Sequence, residues 1–416
     1  MPRLRHSIVL LALLVCMVSY MDRACISVAA PYIQREFQLS HARLGMVFSV
    51  FSLAYFLFLT PWGMLADRYG ARRLVTLGIL SWSAFTTLTA AAWNFVSMLV
   101  IRFAFGATEA SLMPAVASAF ARWVPETERS TAFGAFLSGG RIGGAIAPPV
   151  AAWLVWQFGW RWMFIAFSGL GLACAAAWLF WYRDQPAEHP RITQMELEII
   201  ARGCSGGPRE TGTGIALDRR VVLLLGVAFG YTFMWQFYIT WFPTYLIENR
   251  AMPLAQAAGY ASLPFVFGMV ANWLGGILTD VLGRRYGPRT GRTVLGFAAL
   301  LASAALLAAG IAQRDSRLAA VLIALAAGAG DLSLGAVWTS ATSIGGPAAG
   351  AVSGMMNSAS NLGGFLSPML MGWMLQIWGN WNAVLLAGVA ADAIAAFLWL
   401  GVNRRGAPKT LAEPLL

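Results

Sequence analysis

Lysine is almost missing from this chain of 416 residues: Lys409 stands alone against 28 arginines. Charged residues of every kind make up only 11%, whereas a soluble domain carries about 25%. A water-exposed shell around one core is therefore excluded. Cysteine is scarce as well. Cys16, Cys25, Cys174 and Cys204 form no CxxC pair, and three of them lie in apolar runs. That leaves no basis for a disulfide framework or a zinc site. The three histidines, His6, His41 and His189, fall in tails or loops, so no metal cluster is visible. There is no Walker A motif, no H-E-x-x-H and no convincing G-x-S-x-G. ATP-driven work has no support, and an enzyme is the least favoured class.

Apolar residues fill the space that charge leaves: 58% of the chain is hydrophobic and the mean hydropathy is +0.65. A membrane-spanning helix needs about 20 mostly apolar residues, and runs of that length recur from end to end. The first run is too long, and too charged at its far end, for a cleaved signal peptide. Twelve spans are predicted, at 7–29, 42–66, 74–93, 95–121, 131–155, 161–182, 220–246, 255–280, 292–312, 318–341, 350–377 and 381–402. The net charge of +11 would point to nucleic acid in a soluble protein. Here the charges sit in loops, so no nucleic-acid partner is expected and the lipid bilayer accounts for them. Of the 29 basic residues, twenty fall on the side bearing the termini, six on the other and three inside spans. The positive-inside rule then places both termini in the cytoplasm. High Arg with low Lys is the usage of a GC-rich bacterium, which would make the membrane the inner one.

The chain repeats itself. Gly63-Met-Leu-Ala-Asp67-Arg68-Tyr-Gly70-Ala-Arg72-Arg73 returns as Gly276-Ile-Leu-Thr-Asp280-Val-Leu-Gly283-Arg284-Arg285, offset by 213. Arg141-Ile-Gly143-Gly144-Ala-Ile-Ala-Pro148 returns as Asn361-Leu-Gly363-Gly364-Phe-Leu-Ser-Pro368, offset by 220. Each offset is close to half the chain. The expected fold is therefore all-α and polytopic, with two pseudo-symmetric six-helix bundles at 1–182 and 220–416. A cytoplasmic linker at 183–219 joins them. In the linker, Thr193 to Glu196 fits a capping box, so a short surface helix over 193–202 is expected, with its charges solvated. Parallel repeats of this kind place a substrate site near the midplane, between the halves. The paired glycines and prolines would let helices pack closely or bend.

Charges inside spans are expensive and mark ion or substrate paths. Asp22 and Arg23 stand side by side in the first span, Arg102 and Glu109 in the fourth, Arg141 in the fifth, Asp331 in the tenth and Asp392 in the twelfth. Arginine suits an organic anion, because its planar fork holds a carboxylate with two parallel bonds and stays protonated. Arg23 is the candidate for that role. A carboxylate whose charged partner changes between states is a natural proton carrier, and Asp22 and Glu109 are the candidates. Two cross-pairs are predicted, Arg23 with Glu109 and Arg102 with Asp22. Arg141 could read a second carboxylate or pair with an acid such as Asp331. Asp392 reads as a buried helix contact.

The Gly63–Arg73 segment resembles the loop 2–3 signature of the major facilitator superfamily. A finer resemblance is to the anion:cation symporter family. It rests on Tyr20-Met-Asp22-Arg23 with Ser27-Val-Ala-Ala-Pro31, on Arg102 to Glu109, on His189-Pro190-Arg-Ile-Thr with Glu196-Leu197, and on Trp241-Phe-Pro243-Thr-Tyr245-Leu. The resemblance implies a secondary transporter that imports an organic anion, a sugar acid or other carboxylate, with protons. It needs no cofactor beyond a proton gradient and works as a monomer. It implies substrate contacts at Arg23, Tyr20, Tyr55 and Asn357, to which Gln236 and Trp338 are added as weaker candidates. Gly63, Asp67, Arg68, Gly70, Arg72 and Arg73, with Asp280, Arg284 and Arg285, read as a latch that pairs across the halves in one state only. Export of an acidic metabolite or siderophore, and a ligand sensor on the same fold, are the competing readings.

Overall fold

The computed structural model describes residues 4–203, 218–345 and 349–403, and among them the regular elements are all helical. Lipid offers the backbone no hydrogen bonds, so a chain this apolar must satisfy its own within helices. The α-helices in order are α1 (Leu4–Glu36), α2 (His41–Tyr69), α3 (Ala71–Ala90), α4 (Phe95–Glu109), α5 (Leu112–Trp123), α6 (Glu126–Phe158), α7 (Trp160–Trp181), α8 (Gln194–Gly203), α9 (Arg219–Thr240), α10 (Phe242–Glu248), α11 (Leu254–Tyr286), α12 (Pro288–Ala312), α13 (Ser316–Asp331), α14 (Leu334–Gly345), α15 (Ala349–Trp378) and α16 (Trp381–Val402). Twelve crossings result when α4–α5, α9–α10 and α13–α14 each count as one broken crossing. Among the described residues, nine are long and apolar enough to span by length and composition alone. The other three, α3, α6 and α15, carry more Ser, Thr, Gly or Asn along their length.

Glycine sets the closest helix approaches. On α6, a side chain at Gly139 or Gly143 would collide with the carbonyls of Leu13 and Met17 on α1. Each pair is spaced by four residues, as small-residue packing in membranes requires. In the other half, Gly363 on α15 meets the Phe229 carbonyl of α9 in the same way. Gly144 faces the ring of Phe265 on α11, and Gly364 lies near Ser52, Thr232 and Gln236. Pro148 and Pro368 sit inside α6 and α15. Gly70 and Gly287 make the one-residue turns into α3 and α12 at φ +80 and +88, a backbone region that glycine alone enters without cost.

The apolar core is one body at one end of the molecule and two at the other. At the face away from Leu4 and Asn403, called here the distal face, Ile33, Phe48, Trp241, Tyr245, Met371 and Trp381 belong to a single cluster drawn from both halves. Gly45 packs there against the Pro368 carbonyl and Gly372 against that of His41. Trp241 Nε1 donates to the Pro368 carbonyl at 3.2 Å. At the terminal face, Leu4, Trp123, Trp178 and Ile200 form a cluster of the first half alone. Val221, Val337, Trp399 and Val402 form one of the second half alone. The halves are thus closed distally and separated at the terminal face.

The connecting segment departs from the solvated linker expected. The helix is there, as α8, but the Glu196 carboxylate does not turn back to complete the capping box. Its oxygens accept from the backbone N–H of Leu4 and Arg5, both at 2.9 Å, placing a negative charge at the N-terminus of α1 where the helix dipole favours it. Arg5, almost fully buried, makes a two-pronged bond to Glu128 at 2.9 and 2.8 Å. Glu196 and His189 are buried too.

Candidate substrate cavity

Where the halves separate, a cavity of about 600 Å³ is lined by Tyr20, Arg23, Tyr55, Arg102 and Arg141 from the first half and Tyr231, Trp235, Gln236, Trp338, Asn357 and Asn361 from the second. Arg23 is its central charge. It rises from α1 among the rings of Tyr55, Tyr20 and Phe51, at 4.7, 4.9 and 5.0 Å. Its Nε donates to Glu109 Oε1 at 2.6 Å. Glu109 is fully buried, whereas 18% of the Arg23 side chain stays open to the cavity. The Ser19 hydroxyl donates to the same Glu109 oxygen, while the other oxygen has no partner.

The second expected pair is not made. Neither oxygen of buried Asp22 receives a hydrogen bond, and Arg102 Nε is likewise unpartnered. The Arg102 guanidinium lies instead over the rings of Phe105 and Phe51, at 4.6 and 5.3 Å. Aromatic faces accept a guanidinium without a counter-ion. Arg102 shares the cavity wall with Arg23 but, among the described residues, makes no ion pair of its own.

Arg141 pairs with Asp331, its Nη2 lying 2.8 Å from Oδ2, and thus joins α6 of one half to α13 of the other. The Tyr231 hydroxyl donates to Asp331 Oδ1, Asn272 Nδ2 approaches Oδ2 at 3.4 Å, and Arg141 rests over Trp235 at 3.7 Å. Gln236 and Asn357 face the cavity, although Asn361 spends its amide on the Asn357 carbonyl at 2.9 Å. Trp338 lines it with 48% of its surface exposed. Asp392 lies apart from the cavity, accepting from Ser303 at 2.6 Å.

A profile described as Major Facilitator Superfamily matches residues 12–368. The chain belongs to that superfamily. It is a multi-pass membrane transporter and not an enzyme. It is 33% identical to a probable sulfoacetate transporter of Cupriavidus necator, over 96% of this chain and 94% of that one. It is 30% identical to a hexuronate transporter of Bacillus subtilis, over 95% and 93%. It is 31% identical to a probable galactarate/D-glucarate transporter of Escherichia coli, again over 95% and 93%. Among solved structures, a bacterial homolog of the human lysosomal transporter Spinster, inward-facing and unoccupied, superposes with a TM-score of 0.75. The two chains are 21% identical, and the match covers 97% of this chain and 96% of that one.

The superfamily's loop 2–3 segment lies at the terminal face. The side chains of Asp67 and Asp280 are outside what the structure describes. Arg68, Arg73, Arg284 and Arg285 are exposed. Arg72 is held within its own half: its guanidinium donates to the Leu179 carbonyl at 3.1 and 2.8 Å, and its N–H to Asp184 at 3.1 Å. A side chain at Gly70 would strike the Asp184 carboxylate at 2.6 Å. Among the described residues, a side chain at Gly63 would meet Pro114 at 3.8 Å.

Ser19, Tyr231, Trp235 and Asn272 escaped the sequence reading. A further repeat, also missed, relates the two acids that these residues surround. Glu109-Ala-Ser111-Leu112 and Asp331-Leu-Ser333-Leu334 are 222 positions apart, an offset close to the 220 of the second repeat. The helix breaks after each acid, between α4 and α5 and between α13 and α14. Glu109 and Asp331 are therefore counterparts in the two halves, and each holds an arginine.

Proposed function

We propose that this transporter carries a carboxylate- or sulfonate-bearing organic anion across the membrane together with protons, by alternating access. The observation that supports it most is the Arg23–Glu109 pair, one member buried and the other opening to the cavity. An incoming acid group takes the Arg23 fork, and Glu109, released from its cation, takes a proton. Ser19 accommodates both states, since a hydroxyl both donates and accepts. When the anion leaves, Glu109 returns its proton and re-forms the pair. The relatives named for sulfoacetate, hexuronate and galactarate/D-glucarate support the substrate class.

The terminal face is read as cytoplasmic from the arginine count, so the described conformation is open to the inside of the cell. Asp22 and Arg102, side by side with the pair, are read as tuning its proton exchange. No cofactor enters this scheme, and one chain encloses the whole cavity, so a monomer suffices.

Purified protein in liposomes with a trapped pH dye tests this reading against sulfoacetate, hexuronates, aldarates and aldonates. Internal acidification with one class, abolished in Arg23→Ala, is the expected result. Glu109→Gln is expected to retain counterflow exchange while losing proton-driven accumulation. If Glu109→Gln still concentrates substrate, Glu109 does not carry the coupled proton.

A further inference from the structure

We propose that Arg141 and Asp331 form a second acid-group subsite, so that the preferred substrate is a dianion with one acid group at each end. This rests on the organic-anion reading above and narrows it. Arg141 and Arg23 line one cavity, and the ring of Tyr20 touches the surroundings of both. It lies over Arg23 at 4.9 Å, and a side chain at Gly140, next to Arg141, would strike it at 2.7 Å. Two cations, on α1 and α6, thus line one volume, each occupied by its own carboxylate. Asp331 is the half-repeat counterpart of Glu109, so the exchange proposed at Glu109 has a structural equivalent here.

The surroundings of Asp331 are built for it to change partners. Tyr231 on α9 donates to one oxygen and Asn272 on α11 approaches the other at 3.4 Å. A protonated Asp331 therefore keeps polar neighbours when Arg141 leaves. Gly268 on α11 makes the room: any side chain there would collide with the Asp331 carboxylate. The charged and titratable groups facing Asp331 are Arg141 from α6 and Tyr231 from α9, with the Tyr238 phenol of α9 next in electrostatic reach. Behind it, Asp392 of α16 is held by Ser303 of α12, whose oxygen also lies 2.9 Å from the Ala326 carbonyl of α13. When the second acid group of the substrate takes Arg141, Asp331 takes one proton. It returns that proton when the ion pair re-forms. A dianion then moves with two exchanged protons, one at each subsite.

An aldarate and an aldonate of the same skeleton, galactarate and D-galactonate, differ only in the second carboxylate and serve as probes. Affinities are measured by calorimetry on full-length protein in nanodiscs between about pH 5.5 and 8. The wild type is expected to prefer the aldarate. Arg141→Gln is expected to reduce that preference about 100-fold, the scale of removing one member of a desolvated charged pair. Asp331→Asn is expected to keep aldarate binding while its pH dependence loses one proton, about tenfold in affinity per pH unit. A preference unchanged in Arg141→Gln would overturn the second subsite, and so would an unchanged slope in Asp331→Asn. Should Arg141→Gln not fold, the slope in Asp331→Asn decides. A wild type that binds the aldonate alone sinks this inference and leaves the organic-anion reading standing. A wild type that binds no sugar acid or sulfoacetate sinks both.

Discussion

At the scale of the residue, Arg23 does something a generic positive charge could not. Its guanidinium is sandwiched by three aromatic rings and committed through one nitrogen to Glu109, which fixes the plane in which an acid group can meet it. A lysine ammonium would keep the charge and lose the fork. Arg23→Lys is therefore expected to fold normally and weaken substrate binding about 10- to 100-fold, the equivalent of one charged hydrogen bond at about 1.5–3 kcal/mol. Counterflow half-saturation in liposomes reads this directly. An affinity within about twofold of wild type would show that charge alone recruits the ligand.

At the scale of the element, the connecting segment around α8 acts as a strut. Glu196 caps α1, and His189 sits against the rings of Trp181 and Trp123, at 5.5 and 5.9 Å. Burial, reinforced by Arg183 and Arg191, holds the His189 imidazole below its usual pKa, and its Nδ1 accepts the Arg191 N–H at 3.2 Å, a role open only to the unprotonated nitrogen. The stability it contributes is complete above the usual value near 6.5 and is lost as pH falls from there through the lowered folded-state value. The thermal midpoint is expected to drop between about pH 7.5 and 5, and to drop less in His189→Asn. An equal drop in both would remove His189 as the cause. The position of this helix was legible in the sequence because Thr193 and Glu196 carry a local signal. The partner of Glu196 was not, because Leu4 and Arg5 lie more than 190 positions away and no local pattern encodes that approach. The same division holds in the cavity. Intramembrane charge drew attention to Arg23, Glu109, Arg141 and Asp331, since the cost of burying charge is itself a sequence-level fact. Asp22 and Arg102 misled because the cross-pair was drawn from charge alone: Phe105 lies one helical turn from Arg102 on α4 and covers it locally, and the ring of Phe51, which covers it from the other side of the contact, follows only from how α2 and α4 pack.

At the scale of the whole molecule, the two ends differ in how much they have to lose. The distal face is one interlocked core, with Gly45 and Gly372 seated on opposing backbone carbonyls. The loop 2–3 arginines at the terminal face are exposed or engaged within their own half. Rocking about a central site must therefore unseat the glycines as it brings the arginine-bearing loops together. A side chain at Gly45 has no room in the closed distal face, and overpacking costs about 1–3 kcal/mol. That is enough to shift a two-state population by roughly 5- to 150-fold. Gly45→Leu is expected to favour the conformation open at the distal face, with α2 and α11 closing at the terminal face. Spin labels at the exposed positions Arg68 and Arg284, read by pulsed electron–electron resonance, should then show a shorter distance than in the unwedged protein. Unchanged distances in folded Gly45→Leu would mean that the distal interlock is not what holds the terminal face open. The latch would then have to be sought in the Arg141–Asp331 bond, which ties the halves together at the cavity itself.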